Sequence, residues 1–425
     1  MMNPIGFGLA MAATASLGFA HGEGVGKDDK SPLLDNLFQD GVRVSYKPGS
    51  GVTFTADKGD FALNIAGRVQ VKWYYSMIEG TGGADDMSLS SFQVRRARTK
   101  FQGHVFNEDL TYFLQLEHAG VPDVLDAIAA WRFVNNEDSF VNLSMGLQKT
   151  RGGLQSDASS GSLEFIERTI ASRTFADKRG TGALVHGGLM KNENGHRLHW
   201  HFGAFNSDTA GGTGTAPTAS NADSEFMYTL GVLFAGDGLK WNATRYTEGD
   251  LEHNGRMQPV VGATITAGTT PDQIGGTSKV QTINVFAGLK TGAGIAAQAE
   301  VWIREDEQRF TNNDADSLGW YVQGSYTTKP GEGTQYGIGA RWSMVTLDDP
   351  NPALLARPSL GGTSSLVSVL GATGDISEGS IGVNAYYHKH KLKSQLNYIY
   401  QDVSPDGGGS DLTNHGLDLM FTLAW

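Results

Sequence analysis

No cysteine occurs in the 425 residues of this chain, which excludes disulfides, iron–sulfur clusters and thiol chemistry. Long apolar runs are missing too. Beyond residue 20 nothing approaches the ~20 apolar residues of a membrane helix, so any membrane span here has to be a closed barrel of strands. Positive charge is in deficit: 33 Lys and Arg stand against 45 Asp and Glu, a net charge of -12, which argues against nucleic acid as a partner. Catalytic patterns are equally scarce. No Ser-His-Asp arrangement can be read, and the Gly-rich stretches at Gly211-Gly212 and Gly361-Gly362 lack the Lys-Ser/Thr of a phosphate-binding loop. His199 and His201, like His388 and His390, have the His-x-His spacing of metal ligands but no evident third ligand. No cofactor and no enzyme activity are expected.

What the chain does have is glycine, 57 residues of it, and a period-two alternation of apolar and polar residues. In residues 416–425, Leu417, Leu419, Phe421, Leu423 and Trp425 share one parity, while Gly416, Asp418, Met420, Thr422 and Ala424 share the other. Such alternation places the two sets on opposite faces of a strand. The pattern predicts strands at 61–75, 92–105, 110–116, 125–134, 139–148, 181–190, 197–206, 225–235, 239–247, 280–290, 295–304, 318–328, 334–346, 380–388, 391–402 and 415–425. Tight-turn residues punctuate them: Asn107-Glu108-Asp109, Asn135-Asn136, Asn194-Gly195, Asp237-Gly238, Thr291-Gly292-Ala293-Gly294 and Pro330-Gly331. Longer connections at 76–91, 149–180, 207–224, 248–279, 305–317, 347–379 and 403–414 alternate with these turns. Short turns at one end and long loops at the other are the mark of outer-membrane barrels. The fold class is all-β, a transmembrane antiparallel barrel of about 16 strands, a size that leaves an aqueous channel. Residues 52–56 and 366–373 could add a strand each.

Ahead of the barrel, Ile5 to Phe19 is a short apolar stretch, and Gly18-Phe19-Ala20 offers small residues where a signal peptidase inspects. Residues 1–20 are therefore expected to be an export signal, although no Lys or Arg precedes the apolar stretch. Residues 21–60 form a polar periplasmic lead-in with a small hairpin around Lys58-Gly59-Asp60, and 61–425 form the barrel.

The lumen can be assigned from charge. Arg96, Arg98 and Lys100 lie two apart and so project to one side of a strand. A Lys or Arg facing lipid at mid-depth costs roughly 2–4 kcal/mol, so three in a row must face inward. With Ala97, Thr99 and Phe101 outward, Phe92 and Val94 fall on the inward parity, a misfit in the pattern. The row reads either as a basic ladder for passing anions or as a solvated wall salt-bridged to Glu117 or Asp126. Residues 149–180 hold Lys149, Arg151, Arg168, Arg173, Lys178 and Arg179 against Asp157, Glu164, Glu167 and Asp177, a basic excess suited to a constriction loop. Arg132, on the 125–134 strand, joins the candidate pore-lining residues.

Several blocks resemble the phosphate-selective porin O and P family of Gram-negative outer membranes. They are Gly59-Asp60-Phe61-Ala62-Leu63-Asn64-Ile65-Ala66-Gly67-Arg68-Val69-Gln70 and Phe92-Gln93-Val94-Arg95-Arg96-Ala97-Arg98-Thr99-Lys100. The pair Phe165-Ile166-Glu167-Arg168 and Phe175-Ala176-Asp177-Lys178-Arg179-Gly180 is a third, and the tyrosine-rich closing strands complete the set. The resemblance implies a homotrimer of 16-stranded barrels in outer-membrane lipid, each with an inward-folded third loop and a basic pathway for small anions such as phosphate. It carries Arg68, Arg95 or Arg96, Arg98 and Arg168 into that pathway. Two departures stand out: the family usually ends in Phe where this chain has Trp425, and the later strands offer few inward basic residues, chiefly Arg304 and Arg341. A general or differently selective porin, and a barrel enzyme or adhesive barrel, remain the alternatives.

Overall fold

The computed structural model describes residues 41–80, 87–176, 179–206, 226–239, 246–271, 277–308, 314–331, 333–347, 374–405 and 411–425. The expected signal, most of the lead-in, the 207–224 loop, the 366–373 candidate strand and Lys178 lie outside these residues. Two short strands, β1 (Val42–Lys47) and β2 (Gly51–Ala56), come first. Sixteen barrel strands follow. They are β3 (Phe61–Gly80), β4 (Met87–Val105), β5 (Leu110–Glu117), β6 (Asp123–Asn135), β7 (Phe140–Gln148), β8 (Gly180–Asn192), β9 (Gly195–Asn206) and β10 (Phe226–Leu239). The second half comprises β11 (Gln258–Pro271), β12 (Thr277–Lys290), β13 (Ile295–Gln308), β14 (Asp314–Thr327), β15 (Gln335–Leu347), β16 (Gly374–His388), β17 (Leu392–Pro405) and β18 (Leu412–Ala424). Two short helices, α1 (Leu154–Asp157) and α2 (Ile170–Phe175), sit between β7 and β8.

From β3 to β18 each strand pairs antiparallel with the next, and β18 pairs with β3 from Leu412↔Gly80 to Ala424↔Arg68, closing the barrel. The seam is fastened by the buried Lys72–Asp418 ion pair at 3.0 Å and by Gln70 Nε2 donating to Thr422 Oγ1 at 3.0 Å. Reciprocal backbone bonds join Gly67 and Trp425 at 3.0 and 3.1 Å. The Trp425 indole lies where a Cβ on Gly67 would have to go, so any larger residue there would displace the ring. Before the barrel, β2 pairs with the start of β3 from Val52↔Ile65 to Thr55↔Ala62, so the small hairpin is part of the same sheet.

Alternation decides which face meets water. In β15, Tyr336, Ile338, Ala340 and Trp342 are exposed on the lipid side while Gln335, Arg341 and Ser343 are buried on the inner side. In β18 Leu419, Phe421 and Leu423 face out, and Asn414, Asp418 and Thr422 face in. The short turns are held by side chains at their first position. Asn107 Oδ1 accepts from the Asp109 and Leu110 N–H groups, Asn136 Oδ1 from Asp138 and Ser139, and Asn192 Oδ1 from Asn194 and Gly195. An Asx side chain satisfies turn donors that no strand partner reaches, which is why these sites break the alternation.

Three expectations need correction. The expected 239–247 strand is not seen at its described residues, 240–245 lying outside them: β10 runs through Asp237-Gly238 to Leu239, Tyr246 and Thr247 belong to no strand, and β10 pairs with β11 at 258–271, inside what reads as a loop. Gly262, Gly268, Pro259 and a run of Thr disguise β11, because an inner wall facing water needs no apolar residues. The connection between β10 and β11 is consequently long, on the rim where the other connections are short turns. Secondly, strands continue into 76–80, 87–91, 305–308, 314–317 and 403–405, residues read as loops; Glu305 to Gln308 and Asp314 to Ser317 are mostly polar, as a strand clear of hydrocarbon can be. Thirdly, the parity misfit at Phe92 and Val94 is a β-bulge. Gln70 opposes Arg96 while Val71 opposes Val94, leaving Arg95 as the extra residue. Both apolar side chains thereby point to lipid, at 76% and 52% exposed.

Candidate functional site in the barrel lumen

The chain between β7 and β8 runs through the interior and is buried almost throughout residues 152–176. Thr169 caps α2, its Oγ1 accepting from Ser172 N–H at 3.2 Å. That turn presents Ile170, Ala171 and Phe175 to Trp302, Tyr321, Val345, Leu347, Ile376 and Val403, inward residues of β13 to β17. Apolar residues on both faces of a porin-like strand signal that something packs inside. Val345 and Leu347 carried that signal in the sequence.

Polar side chains hold the rest of the segment from several walls. Glu300 on β13 accepts from the Leu154 and Gln155 N–H groups at 2.8 and 2.7 Å. Asn397 Oδ1 accepts from Ile166 N–H at 3.1 Å, and Ser343 Oγ from Ala171 N–H at 3.2 Å. Lys393 Nζ donates to Leu163 O at 2.5 Å, and Gln395 Nε2 to Glu164 O at 2.7 Å. From the opposite side, Arg95 and Arg96 both reach the Glu167 carboxylate, at 2.5 and 2.9 Å. Adjacent strand residues normally point apart; the bulge at Arg95 is what lets both converge. Burial opposes the Glu167 charge, but the two guanidinium groups hold its carboxyl well below the usual range.

The basic candidates fall into distinct groups. Arg98 is paired with Glu117 at 2.7 Å and Arg179 with Asp126 at 3.0 Å. Arg173 and Arg341 share Glu378, at 2.6 and 3.0 Å. Arg304 is paired with Asp306 at 2.7 Å. Arg132 lies apart, 3.8 Å from Asp109 at the β4–β5 turn. Arg168 donates to the Gln155 and Ala158 carbonyls at 2.9 and 2.7 Å, and Lys149 Nζ to those of Ser156, Asp157 and Ala158. Burial first, then Arg168 and Arg179, lower the Lys149 pKa well below the ordinary lysine value. These two cations therefore brace the segment they belong to.

Arg68 and Lys100 are different. Arg68 donates only to the Ser160 and Ser159 hydroxyls, at 2.8 and 3.3 Å, and its Nε has no partner among the described residues. Lys100 makes no hydrogen bond or ion pair with the described residues. Both line a cavity of about 580 Å³ together with Ser159, Gly161, Thr247 and Lys391. A second cavity of about 490 Å³ runs along β3 to β8, past Asn64, Gln102, Asn142, Ser144 and Gln148.

Sequence reasoning passed over the carboxylates on the other wall. Glu164 comes from the β7–β8 segment and Glu300 from β13; Glu248 lies between β10 and β11, and all three are buried. Burial, reinforced by Glu248, raises the Glu164 pKa to about 7. His186, His199 and His201 are buried on the inner wall, and no group of three or more metal-ligating side chains occurs among the described residues.

A closed 16-stranded antiparallel barrel with lipid-facing aromatics and a polar, charged lumen defines an outer-membrane porin. The sequence profile of the phosphate-selective porin O and P family matches residues 64–425, and the chain belongs to that family. No curated protein sequence matches it. Among solved structures, the DcaP outer-membrane channel of Acinetobacter baumannii superposes with a TM-score of 0.52 at 12% identity, over 88% of this chain and 100% of that one. An anion-selective porin from Comamonas acidovorans gives 0.51 at 10% identity, over 85% of this chain and 100% of that one. At such identities the likeness is one of fold.

Proposed function

We propose that the protein passes small anions by diffusion across the outer membrane, with phosphate-type anions the class its lumen suits best. The observation that carries this reading is the Arg68–Lys100 pair, two cations without a carboxylate partner, facing a cavity beside the Ser159 and Ser160 hydroxyls. A guanidinium, an ammonium and hydroxyl donors together replace the hydration shell of an oxyanion. The net charge of -12 does not oppose this. Screening falls off over ~8 Å at physiological salt, so charges at the rims scarcely reach the middle of the barrel. The anion-selective porin of the same fold supports the assignment by analogy.

A second reading is a porin with little charge preference. It is favoured by the number of guanidinium groups that already have a carboxylate in contact, Glu117, Asp126, Glu167 or Glu378. Reversal potential in a planar bilayer under a potassium chloride gradient separates the two. The anion reading expects chloride to permeate in excess and phosphate to block the chloride current; a reversal potential near zero without phosphate block favours the second. Export by cleavage near His21 and assembly as a homotrimer belong to the same proposal, resting on the 1–20 segment and the family resemblance. N-terminal sequencing checks the first and light scattering in mild detergent the second.

A further inference from the structure

The connection between β10 and β11 starts from the rim opposite the β7–β8 segment, yet Tyr246, Glu248, Asp250 and Leu251 are all buried. It is fixed to the wall at several points. Lys290 Nζ donates to Thr247 Oγ1 at 3.0 Å and stands over the Tyr246 ring at 5.0 Å. Asp250 Oδ2 accepts from Gly294 N–H at 2.8 Å, and Thr327 Oγ1 donates to Asp250 O at 2.7 Å. Its tip touches the segment from the other rim: Glu248 N–H donates to Ser162 O at 3.0 Å, and Glu248 Oε2 accepts from Glu164 N–H at 2.7 Å. The other carboxylate oxygen accepts from Gln155 Nε2 at 2.9 Å and Gln298 Nε2 at 3.0 Å. One buried carboxylate thus ties both inserted segments to β13.

We propose that residues 246–251 are a second constricting element of the channel, and that Glu248 is the positioning residue that locks it to the β7–β8 segment. The cavity beside Arg68 and Lys100 is bounded by Ser159, Gly161 and Ser162 from one insertion and by Thr247, Gly249 and Asp250 from the other. An ion crossing at this level therefore passes between two loops of opposite origin. The inference rests on the channel reading above.

The absence of cysteine makes the test unambiguous, since a thiol reagent then reacts only at an introduced site. In Thr247→Cys, a methanethiosulfonate reagent added on the side of the β10–β11 rim is expected to reduce single-channel current irreversibly, while the wild type is unaffected. Glu248→Gln turns an acceptor for several donors into a group that presents its own N–H to some of them. It is expected to raise single-channel conductance and open-channel noise, with unchanged heat-modifiable migration showing an intact barrel. Glu248→Ala should do the same. Unchanged current in Thr247→Cys after labelling confirmed by mass overturns the constricting role. Wild-type conductance and noise in both Glu248 variants overturn the locking role. A wild-type protein that inserts into the bilayer yet carries no current removes the channel reading itself, and this inference with it.

Discussion

The role proposed for Arg68 and Lys100 rests on what is missing beside them, whereas Arg95, Arg96, Arg98, Arg173, Arg179 and Arg341 each have a carboxylate in contact. Removing a guanidinium from a buried pair leaves an uncompensated carboxylate, with a penalty of about 3–5 kcal/mol. Removing the pair together changes no local charge. The double variant R98Q/E117Q is accordingly expected to keep the wild-type reversal potential, while R68Q/K100Q lowers the chloride-to-potassium permeability ratio several-fold and weakens phosphate block. Equal effects of the two doubles on the reversal potential would show that charge pairing does not sort these residues. Spacing in the sequence placed Arg96, Arg98 and Lys100 on one inner row, because an Arg or Lys cannot sit in lipid. It could not tell Lys100 from Arg98. The β4–β5 register sets Arg98 opposite Glu117 but Lys100 opposite Gln115, and that register is what decides whether a cation finds a carboxylate.

At the scale of elements, the β7–β8 segment is held by carboxylates whose protonation differs. Glu164 has a pKa raised to about 7, from burial and then from Glu248. Lys290, Gln323 and Ser325 face it as well and favour its charge, but do not cancel the burial. A carboxyl at the ordinary value when undocked and near 7 when docked holds more protons in the docked state between those limits. Docking is therefore strongest on the acid side and weakens as pH rises through that window, reaching its floor above about 7. Open-channel noise is expected to grow between pH 5 and 8, and Glu164→Gln should flatten the profile. A pH-independent trace in the wild type would rule this out. Strand identity was legible wherever lipid demands apolar residues at alternate positions, as in β15 and β18. It failed at β11, where Thr, Gly and Pro are numerous, and at 246–251, whose acidic residues look like any solvated turn. A wet interior selects for hydrogen-bonding capacity, and so does a surface loop, so composition alone separates neither.

For the whole molecule, every strand pairing of the barrel among the described residues, except one, joins strands adjacent in sequence. The exception is the seam, where Lys72 meets Asp418 across 346 positions. Closing a loop of that length costs about 5 kcal/mol of chain entropy by the logarithmic rule, against little for a hairpin. Hairpins from β3 to β18 are therefore expected to zip in series, with the ring completed in a later, long-range event. Until then β3 and β18 are open edges, each a template for a neighbouring chain. In refolding from urea into detergent micelles, strand content by circular dichroism is expected to precede the heat-resistant band on gels. Asp418→Asn should delay the band without delaying the strand signal, and a variant in which both slow together would place the seam in the early phase. On that expectation the buried Lys72–Asp418 pair acts on time: the sooner it forms, the shorter the interval in which the ribbon stands unclosed with two free edges.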